Sequence, residues 1–454
     1  MVPNLEVIKQ QLVDAGVKYL FGAYVDIHGV PKSKAVPIEY FDEMINGSEL
    51  YTVGALEGMG ELGPNEDECV SIPDPSTFVV LPWDHRYAMA ASNLYFHEKP
   101  YDHDCRHVLK RQIQAAEELG FSMNMGVEPE VYVLRETNGE WLPFVADDLE
   151  NEPTRGYDLE TTMQADIFLE PMVQYLNELG WGVYSFDHEG GDGQYEFDFG
   201  YTDVLTMADR MLIFRLMSKH VARSIDCIAT FMPKPWSDAF GSGAHLNVSL
   251  ADRENGRNLF EMEDKEKSRN GRGYSELAYH FTAGMLRHAD AITAVLCPTV
   301  NSYKRMEPYG RMREMSWAPV YNAYGHNNRT LTCRLPMNRY CLEVRQADSA
   351  CNFYLGAAMT LAAGLEGIRE KLDPGDAVEF NTYSKTDEEL EQAGISRLPR
   401  TFGEALQKFE DSRLAKEVFG DAFHSTFLKY KRREWDEFCL EVTPWERKRY
   451  LRLL

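Results

Sequence analysis

The segment 187-DHEGGDGQYEFD-198 places two carboxylates on each side of a glycine-rich turn. Asp192-Gly193 is a favoured pair for a two-residue hairpin turn, and the flanking residues alternate as strands do. The opposing pairs expected from that turn are Glu189 with Glu196 and Asp187 with Asp198, all on one face. Like charges this close are destabilising, so a positive group is expected beside them. A longer loop would change the register.

A second acidic pair lies in 125-MGVEPEVYVL-134. Glu128 and Glu130 are two residues apart in a predicted strand, which places both carboxylates on the same side. Buried carboxylates must become neutral, pair with a base or bind a cation. Carboxylate-rich oxygen sites suit Mg²⁺ or Mn²⁺. The alternative is solvated charge on an outer sheet face.

Candidate partners for these acids follow later in the chain. The alternation in 241-GSGAHLNVSL-250 predicts one face with His245, Asn247 and Ser249. The arginines and the acid that gather beyond it are Arg305, Arg329, Arg334, Glu343 and Arg345. A guanidinium group matches the oxygens of a carboxylate or a phosphate, although internal salt bridging explains such a cluster equally well.

Length and charge limit the class of protein. The 454 residues exceed what one hydrophobic core usually serves, so two domains, or one large domain with a smaller one, are expected. The change from strand patterns to helical patterns indicates a boundary near residue 105, which gives predicted domains at 1–104 and 105–454. The net charge of −25 argues against nucleic acid or an anionic membrane as partner. No long apolar run and no signal-peptide pattern is visible, so a cytoplasmic location is expected. The eight cysteines form no CxxC pair and are expected to be reduced thiols.

The order of predicted elements indicates an α+β fold. Strand patterns dominate residues 17–37 and 77–96, and a leading helix precedes them. Helical periodicity then recurs at 106–120, 163–180, 203–225 and 274–295, and the segment 352-NFYLGAAMTLAAGLEGIREKL-372 has small residues suited to tight packing. Strand-like segments lie between these helices, as expected for a larger catalytic domain.

These segments resemble the glutamine synthetase family over nearly the whole chain. The matching motifs, in the family's order, are VDIHGVPKSKAVP, GVEPEVYVL, HEGGDGQYEF, FMPKPWSDAFGSGAHLNVSL, NSYKR, NNRTLTCRLP and LEVR. The resemblance implies an N-terminal β-grasp domain and a catalytic domain built on a half-barrel of antiparallel strands with flanking helices. It also implies ring-shaped homo-oligomers, as hexamer rings stacked into a dodecamer, with active sites between subunits.

The resemblance also assigns roles to individual residues. The ligands of one metal would be Glu130, Glu189 and Glu196. The ligands of a second metal would be Glu128, His245 and Glu343. The family implies two to three Mg²⁺ or Mn²⁺ ions in each active site, with ATP as co-substrate. Asp187 and Asp198 match no family ligand and are interpreted as structural.

Substrate-binding roles carry over in the same way. Arg305 and Arg345 would bind the carboxylate of L-glutamate beside the backbone of Gly241. Arg329 and Arg334 would face the phosphates, with Asn247 and Ser249 near the nucleotide. The residues expected to act directly in catalysis are Arg305, Arg329 and Glu189. The partners implied are L-glutamate, ATP and a small amine or ammonia.

The sequence departs from the family where ammonium is handled. Glutamine-forming members carry an Asp-Gly-Ser-Ser segment, whereas 50-LYTVGALEGMG-60 has no aspartate. The flap 306-MEPYGRMREMSWAP-319 is lengthened, with Trp317 at the usual position of an acid. Glu307 or Glu314 could replace that acid. Phe240 stands where asparagine is usual, and Tyr157 is expected to line the same pocket.

The departures favour a γ-glutamyl amide synthetase that uses an alkylamine or arylamine, of the γ-glutamylmethylamide type. Ammonia remains the alternative acceptor, since divergent glutamine synthetases can also lack the Asp-Gly-Ser-Ser segment. A non-catalytic scaffold is a remote alternative, because all six expected metal ligands are present. A phosphagen-kinase-like enzyme would lack the HEGGDGQYE and GSGAH motifs.

Overall fold

The computed structural model describes residues 4–145, 156–307 and 316–453. Within these ranges the strands form two sheets, one near the N-terminus and one that extends through the rest of the chain. Helices cover both sheets. The predicted α+β class is therefore confirmed.

The first sheet has the strand order β2-β1-β7-β5-β4, with β3 paired to β1 and both β6 and β8 paired to β7. Its strands are β1 Tyr19–Val25, β2 Pro31–Lys32, β3 Ala35–Pro37, β4 Glu49–Tyr51, β5 Cys69–Pro73, β6 Val79–Val80, β7 Tyr87–Phe96 and β8 Lys99–Pro100. The central pair, β1 and β7, is parallel. Helices α1 Leu5–Asp14 and α2 Phe41–Ile45 bury Leu12 and Phe41 in a small core on this sheet.

The second sheet has the order β11-β12-β9-β15-β18-β17-β16-β19, and β10, β13 and β14 pair with β9. Its strands are β9 Phe121–Thr137, β10 Glu140–Pro143, β11 Val183–His188, β12 Gln194–Phe199, β13 Thr202–Asp203, β14 Ile228–Thr230, β15 Ala244–Asp252, β16 Tyr321–His326, β17 Leu331–Leu335, β18 Leu342–Val344 and β19 Ser396–Arg397. Strand β9 pairs with both β12 and β15, so residues from three neighbouring strands meet along its length.

The remaining helices pack on the second sheet and on one another. They are α3 Cys105–Glu117, α4 Leu159–Gln164, α5 Asp166–Glu178, α6 Val204–Ser224, α7 Glu276–Leu296, α8 Ser302–Met306, α9 Phe353–Glu370, α10 Asp387–Gln392, α11 Phe402–Asp411, α12 Arg413–Phe419, α13 Asp421–Leu440 and α14 Pro444–Tyr450. The helix predicted over 163–180 is interrupted, because α4 ends at Gln164 and α5 begins at Asp166. None of the described helices has the length and apolar character needed to cross a membrane.

Small residues allow the two buried helices α7 and α9 to approach closely. A Cβ atom at Gly284 would lie 2.0 Å from the carbonyl oxygen of Ala363, and one at Gly367 would lie 2.1 Å from that of His280. Only glycine tolerates such contact with a neighbouring backbone. The small residues of the segment 352–372 therefore serve the tight packing for which the sequence suits them.

A buried arginine joins the first sheet to the helical layer. Arg106 of α3 donates two hydrogen bonds to the carboxylate of Asp209, at 3.0 and 2.9 Å, and one to Asn93 Oδ1 of β7 at 2.9 Å. The main core likewise contains residues from both predicted domains, including Val25, Met89 and Val108. The division at residues 104 and 105 stays a prediction.

Replacing Arg106 with methionine should destabilise the fold strongly. The change leaves the largely buried Asp209 carboxylate without its cation, and breaking a buried pair in this way costs on the order of 3 kcal/mol. The measurement is the midpoint of denaturant unfolding. Arg86→Met, which breaks the exposed pair between Arg86 and Asp84, is the control and should leave the midpoint nearly unchanged. Equal midpoints for the two variants would show that the buried pair of Arg106 and Asp209 does not stabilise the fold.

Candidate active site

The predicted hairpin forms, but with a different register. Strand β11 ends at His188 and β12 begins at Gln194, so five residues connect them instead of two. The structure pairs Asp187 with Glu196, which corrects the prediction that Glu189 opposes Glu196 and Asp187 opposes Asp198. A shift of two residues keeps each side chain on its face. The expectation that all four acids share one face is therefore confirmed.

Close contacts explain why this longer loop is rich in glycine. A Cβ atom at Gly191 would lie 1.9 Å from the hydroxyl oxygen of Tyr132, and one at Gly190 would lie 2.9 Å from the ring of Phe240. The glycine run therefore passes directly against two aromatic side chains. The Asp192-Gly193 signal could not reveal these contacts, because both partners are distant in sequence.

Pairing across three strands gathers the acids at the centre of the second sheet. Glu196 of β12 lies opposite Glu130 of β9, and His245 of β15 lies opposite Glu128 of β9. Oxygen or nitrogen atoms of Glu130, Glu189 and Glu196 lie within 4.8 Å of one another, and so do those of Glu128, Glu196 and His245. The structure thus brings together the first predicted metal-binding group completely.

The second predicted group differs in one member. Glu343 Oε1 lies 3.9 Å from His245 Nδ1, but the Glu343 carboxylate is fully buried between the guanidinium groups of Arg334 and Arg345. Burial is the largest influence and alone would raise the pKa of Glu343, but Arg345, His245 and Arg334 together lower it. Glu196 instead completes the group with Glu128 and His245.

The electrostatics of the first group fit a divalent cation. Burial, followed by the neighbouring charge of Glu189, raises the pKa of Glu130, and burial followed by Glu128 raises that of Glu196 well above its usual range. Burial likewise raises the pKa of Glu189. Three carboxylates, one buried and two partly buried, that repel one another and offer oxygen atoms within 4.8 Å of one another are a suitable donor set for a hard cation.

Opposite the acids, arginines are held by backbone carbonyl groups. Arg305 donates from Nη1 to the oxygen of Gln346 at 3.0 Å and from Nη2 to that of Arg345 at 3.2 Å. Arg345 donates from Nε to the oxygen of Arg329 at 3.0 Å. A Cβ atom at Gly241 would lie 2.6 Å from Arg305 Cγ, so glycine is required beside this arginine.

Acids and arginines line one cavity of about 650 Å³. The predicted residues that line it are Glu128, Glu130, Tyr157, Glu189, Glu196, Phe240, Gly241, His245, Arg305, Trp317, Arg329, Arg334, Glu343 and Arg345. Asn247 and Ser249 are not among the lining residues. Asn247 donates to Glu128 Oε1 at 3.0 Å, and Ser249 lies farther along β15, opposite Asn124.

Three aromatic side chains form the less polar part of the lining. Tyr157 and Trp317 line the cavity, are 70% and 46% exposed, and both have a positive φ. The Trp317 ring stacks with the guanidinium of Arg329, with 5.8 Å between Cζ and the ring centroid. Phe240 lies deeper, and its backbone oxygen accepts a hydrogen bond from Tyr132 at 2.7 Å.

Some cavity residues were not predicted as site residues. Arg339 Nη2 lies 2.7 Å from Glu128 Oε1, although it sits between β17 and β18, where strand alternation gives no signal. Asp187 and Asp198, interpreted as structural, also line the cavity. Burial, followed by Glu189 and Asp198, raises the pKa of Asp187 to about 7.

Of the two glutamates proposed as replacements for the flap acid, the structure describes only Glu307. Glu307 pairs with Arg397 at 2.7 Å and with Arg400 at 3.0 Å, and it does not line this cavity. Glu314 lies outside the described residues.

Comparison with known proteins agrees with this geometry. Residues 102–450 match the family model described as glutamine synthetase, catalytic domain. The chain is 38% identical to a glutamate–methylamine ligase of Methyloversatilis universalis, over 98% of each chain. It is 35% identical to a glutamine synthetase of Pyrococcus furiosus, over 96% of this chain and 97% of that one.

Solved structures resemble the whole fold. A GmaS/ADP complex superimposes with a TM-score of 0.89 and 31% identity, covering 99% of this chain and all of that one. Apo GmaS superimposes with a TM-score of 0.87 and 30% identity, covering all of both chains. The fold and site thus define a carbon–nitrogen ligase that depends on ATP. The chain belongs to the glutamine synthetase family, which confirms the resemblance drawn from its motifs.

Metal binding should stabilise this protein more at about pH 8 than at about pH 6. The folded, metal-free protein keeps protons on Glu130 and its neighbours that the unfolded chain releases, so these groups destabilise it progressively as the pH rises from the ordinary pKa of glutamate up to their raised pKa values. A bound divalent cation replaces those protons.

The measurement is the change in Tm on adding Mn²⁺ to metal-free protein at the two pH values. Glu130→Gln removes one of the raised groups and should reduce both the Mn²⁺ effect and its dependence on pH. An equal rise in Tm at both pH values would refute the electrostatic account of the cluster.

Proposed function

We propose that this protein joins the γ-carboxyl group of L-glutamate to a small organic amine at the expense of ATP, with a methylamine-type alkylamine as acceptor. The observation that carries the proposal is a single cavity in which two carboxylate groups face Arg305 and Arg345, while Tyr157, Phe240 and Trp317 add an aromatic wall. The family, and the similarity to a glutamate–methylamine ligase, support the same reaction class.

The chain's own residues can bind and orient glutamate. The backbone carbonyls that hold the Arg305 guanidinium fix its orientation before substrate arrives, and Arg345 is fixed in the same way. A fixed guanidinium binds a carboxylate with little loss of side-chain freedom. We assign the α-carboxylate of glutamate to these two arginines, beside Gly241.

Activation of the γ-carboxylate uses ATP. In this step an oxygen of the γ-carboxylate attacks the γ-phosphorus, and the bond to ADP breaks. Mg²⁺ or Mn²⁺ would offset the negative charge of the phosphates. The residues that would hold these ions are the two groups Glu130, Glu189, Glu196 and Glu128, Glu196, His245. Arg329, Arg334 and Arg339 line the same cavity and add positive charge where the phosphates would lie.

The second step forms the amide. The amine nitrogen attacks the acyl phosphate, the C–N bond forms, phosphate leaves and the amine loses a proton. Asp187 lines the cavity beside Glu189 and is a candidate to receive that proton. Segment 50-LYTVGALEGMG-60 offers no aspartate for a small hydrated cation. The aromatic wall suits an acceptor that carries an alkyl group.

Ammonia is the second candidate acceptor. It is supported by the 35% identity to the Pyrococcus furiosus glutamine synthetase, which extends over nearly the whole chain. Assembly into stacked hexamer rings and a cytoplasmic location, both expected from the sequence, stay predictions.

The acceptor is tested by phosphate release from ATP, L-glutamate and Mg²⁺ with ammonia, methylamine, ethylamine, isopropylamine or aniline. We expect the highest kcat/KM with an alkylamine, and the γ-glutamyl alkylamide detected by mass. A higher kcat/KM with ammonia would instead establish glutamine formation. No glutamate-dependent release of phosphate with any acceptor would reject the ligase proposal.

Trp317→Ala should change the choice of acceptor. Loss of the indole removes apolar contact from an alkyl group, so the ratio of kcat/KM for methylamine to that for ammonia should fall about tenfold. Trp141→Ala, at an exposed tryptophan of β10 outside the cavity lining, is the matched control and should leave the ratio unchanged. A parallel loss with both acceptors would show that Trp317 does not discriminate between them.

A further inference from the structure

One buried side chain connects the acidic cluster to the loop that carries Gly241. Gln194, the first residue of β12, is 1% exposed. Its Nε2 atom donates to Glu130 Oε2 at 2.6 Å and to the backbone oxygen of Gly241 at 3.1 Å. Its Oε1 atom accepts from the backbone nitrogen of Gly191 at 3.1 Å.

These three bonds join segments that have separate tasks. Glu130 belongs to the first carboxylate group, Gly191 to the loop that begins with Glu189, and Gly241 to the loop beside Arg305. The Gln194 amide uses both Nε2 hydrogens and one lone pair of Oε1 on these partners. Each segment is therefore held relative to the other two.

The chemistry of an amide is required at this position. The Nε2 group can only donate, so it binds Glu130 Oε2 and cannot itself ligate a cation. A carboxylate there would add another negative charge beside Glu130, Glu189 and Glu196. Removing a group that orients a metal ligand in this way typically weakens metal affinity by about 10- to 100-fold.

We propose that Gln194 is a positioning residue that sets the metal-binding geometry of Glu130 and, through the same amide, the position of the glutamate-binding loop at Gly241. The second half of this inference rests on the proposed ligase function. The first half depends only on the carboxylate cluster and can be tested without substrate.

The test is Mn²⁺ binding to metal-free protein without nucleotide or amino acid, followed by the EPR signal of free Mn²⁺. Gln194→Met has nearly the same length but no hydrogen-bonding amide, and Gln194→Asn keeps the amide but moves it away from Glu130. Both variants should bind Mn²⁺ at least about tenfold more weakly. If Gln194→Met fails to fold, the Mn²⁺ affinity of Gln194→Asn tests the proposal alone.

Asn352→Leu is the matched control. Asn352 is also buried, and its Nδ2 donates to the backbone oxygen of Asp26 at 3.1 Å, while neither residue lines the cavity. Its loss should lower stability without weakening Mn²⁺ binding. If the Gln194 variants lose stability but bind Mn²⁺ within twofold of the unaltered protein, Gln194 has a structural role only and the inference fails.

Steady-state kinetics test the link to the substrate loop. In Gln194→Asn, the KM for glutamate should rise several-fold at saturating Mn²⁺, while the KM for ATP changes little. An unchanged KM for glutamate would overturn the link to Gly241. If the unaltered protein turns over no glutamate, the ligase proposal fails, and the Mn²⁺ titration still decides the role of Gln194 at Glu130.

Discussion

Mutual repulsion among buried carboxylates is the constraint on which the site depends. Glu130, Glu189 and Glu196 are brought within contact distance by the pairing of β9 with β12 and by the loop that follows β11. Sheet hydrogen bonding holds them there whether or not their charge is neutralised. The fold therefore stores an unfavourable interaction that a proton or a cation must relieve.

The positive side of the cavity is organised differently. Glu343 is fully buried between Arg334 and Arg345, so it orients two guanidinium groups as well as lying close to His245. Backbone carbonyls hold Arg305 and Arg345 from behind. Substrate anions would meet arginines that are already fixed in place, while the acids opposite them await a cation. One cavity thus has acidic side chains held by strand pairing and basic side chains held by Glu343 and by backbone carbonyls.

Periodicity predicted much of this arrangement. The two-residue spacing of Glu128 and Glu130, and of His245 and Asn247, correctly placed each pair on one face, because alternation is a local property of strands. The predicted hairpin register was wrong by two residues, because the loop has five residues instead of two. Its glycines pack against Tyr132 and Phe240, which lie elsewhere in the chain. Arg339 was missed for a related reason. It reaches Glu128 from a loop, where spacing carries no information about direction.

The contact between Gly190 and Phe240 has a consequence for how such an enzyme can diverge. Any side chain at Gly190 would collide with the Phe240 ring, and Gly190 directly follows Glu189. Phe240, which we propose for the acceptor pocket, and the loop that carries Glu189 therefore cannot vary independently. A lineage that changed the size of residue 240 would gain or lose freedom at position 190, so acceptor choice and metal-site geometry are expected to evolve as one unit.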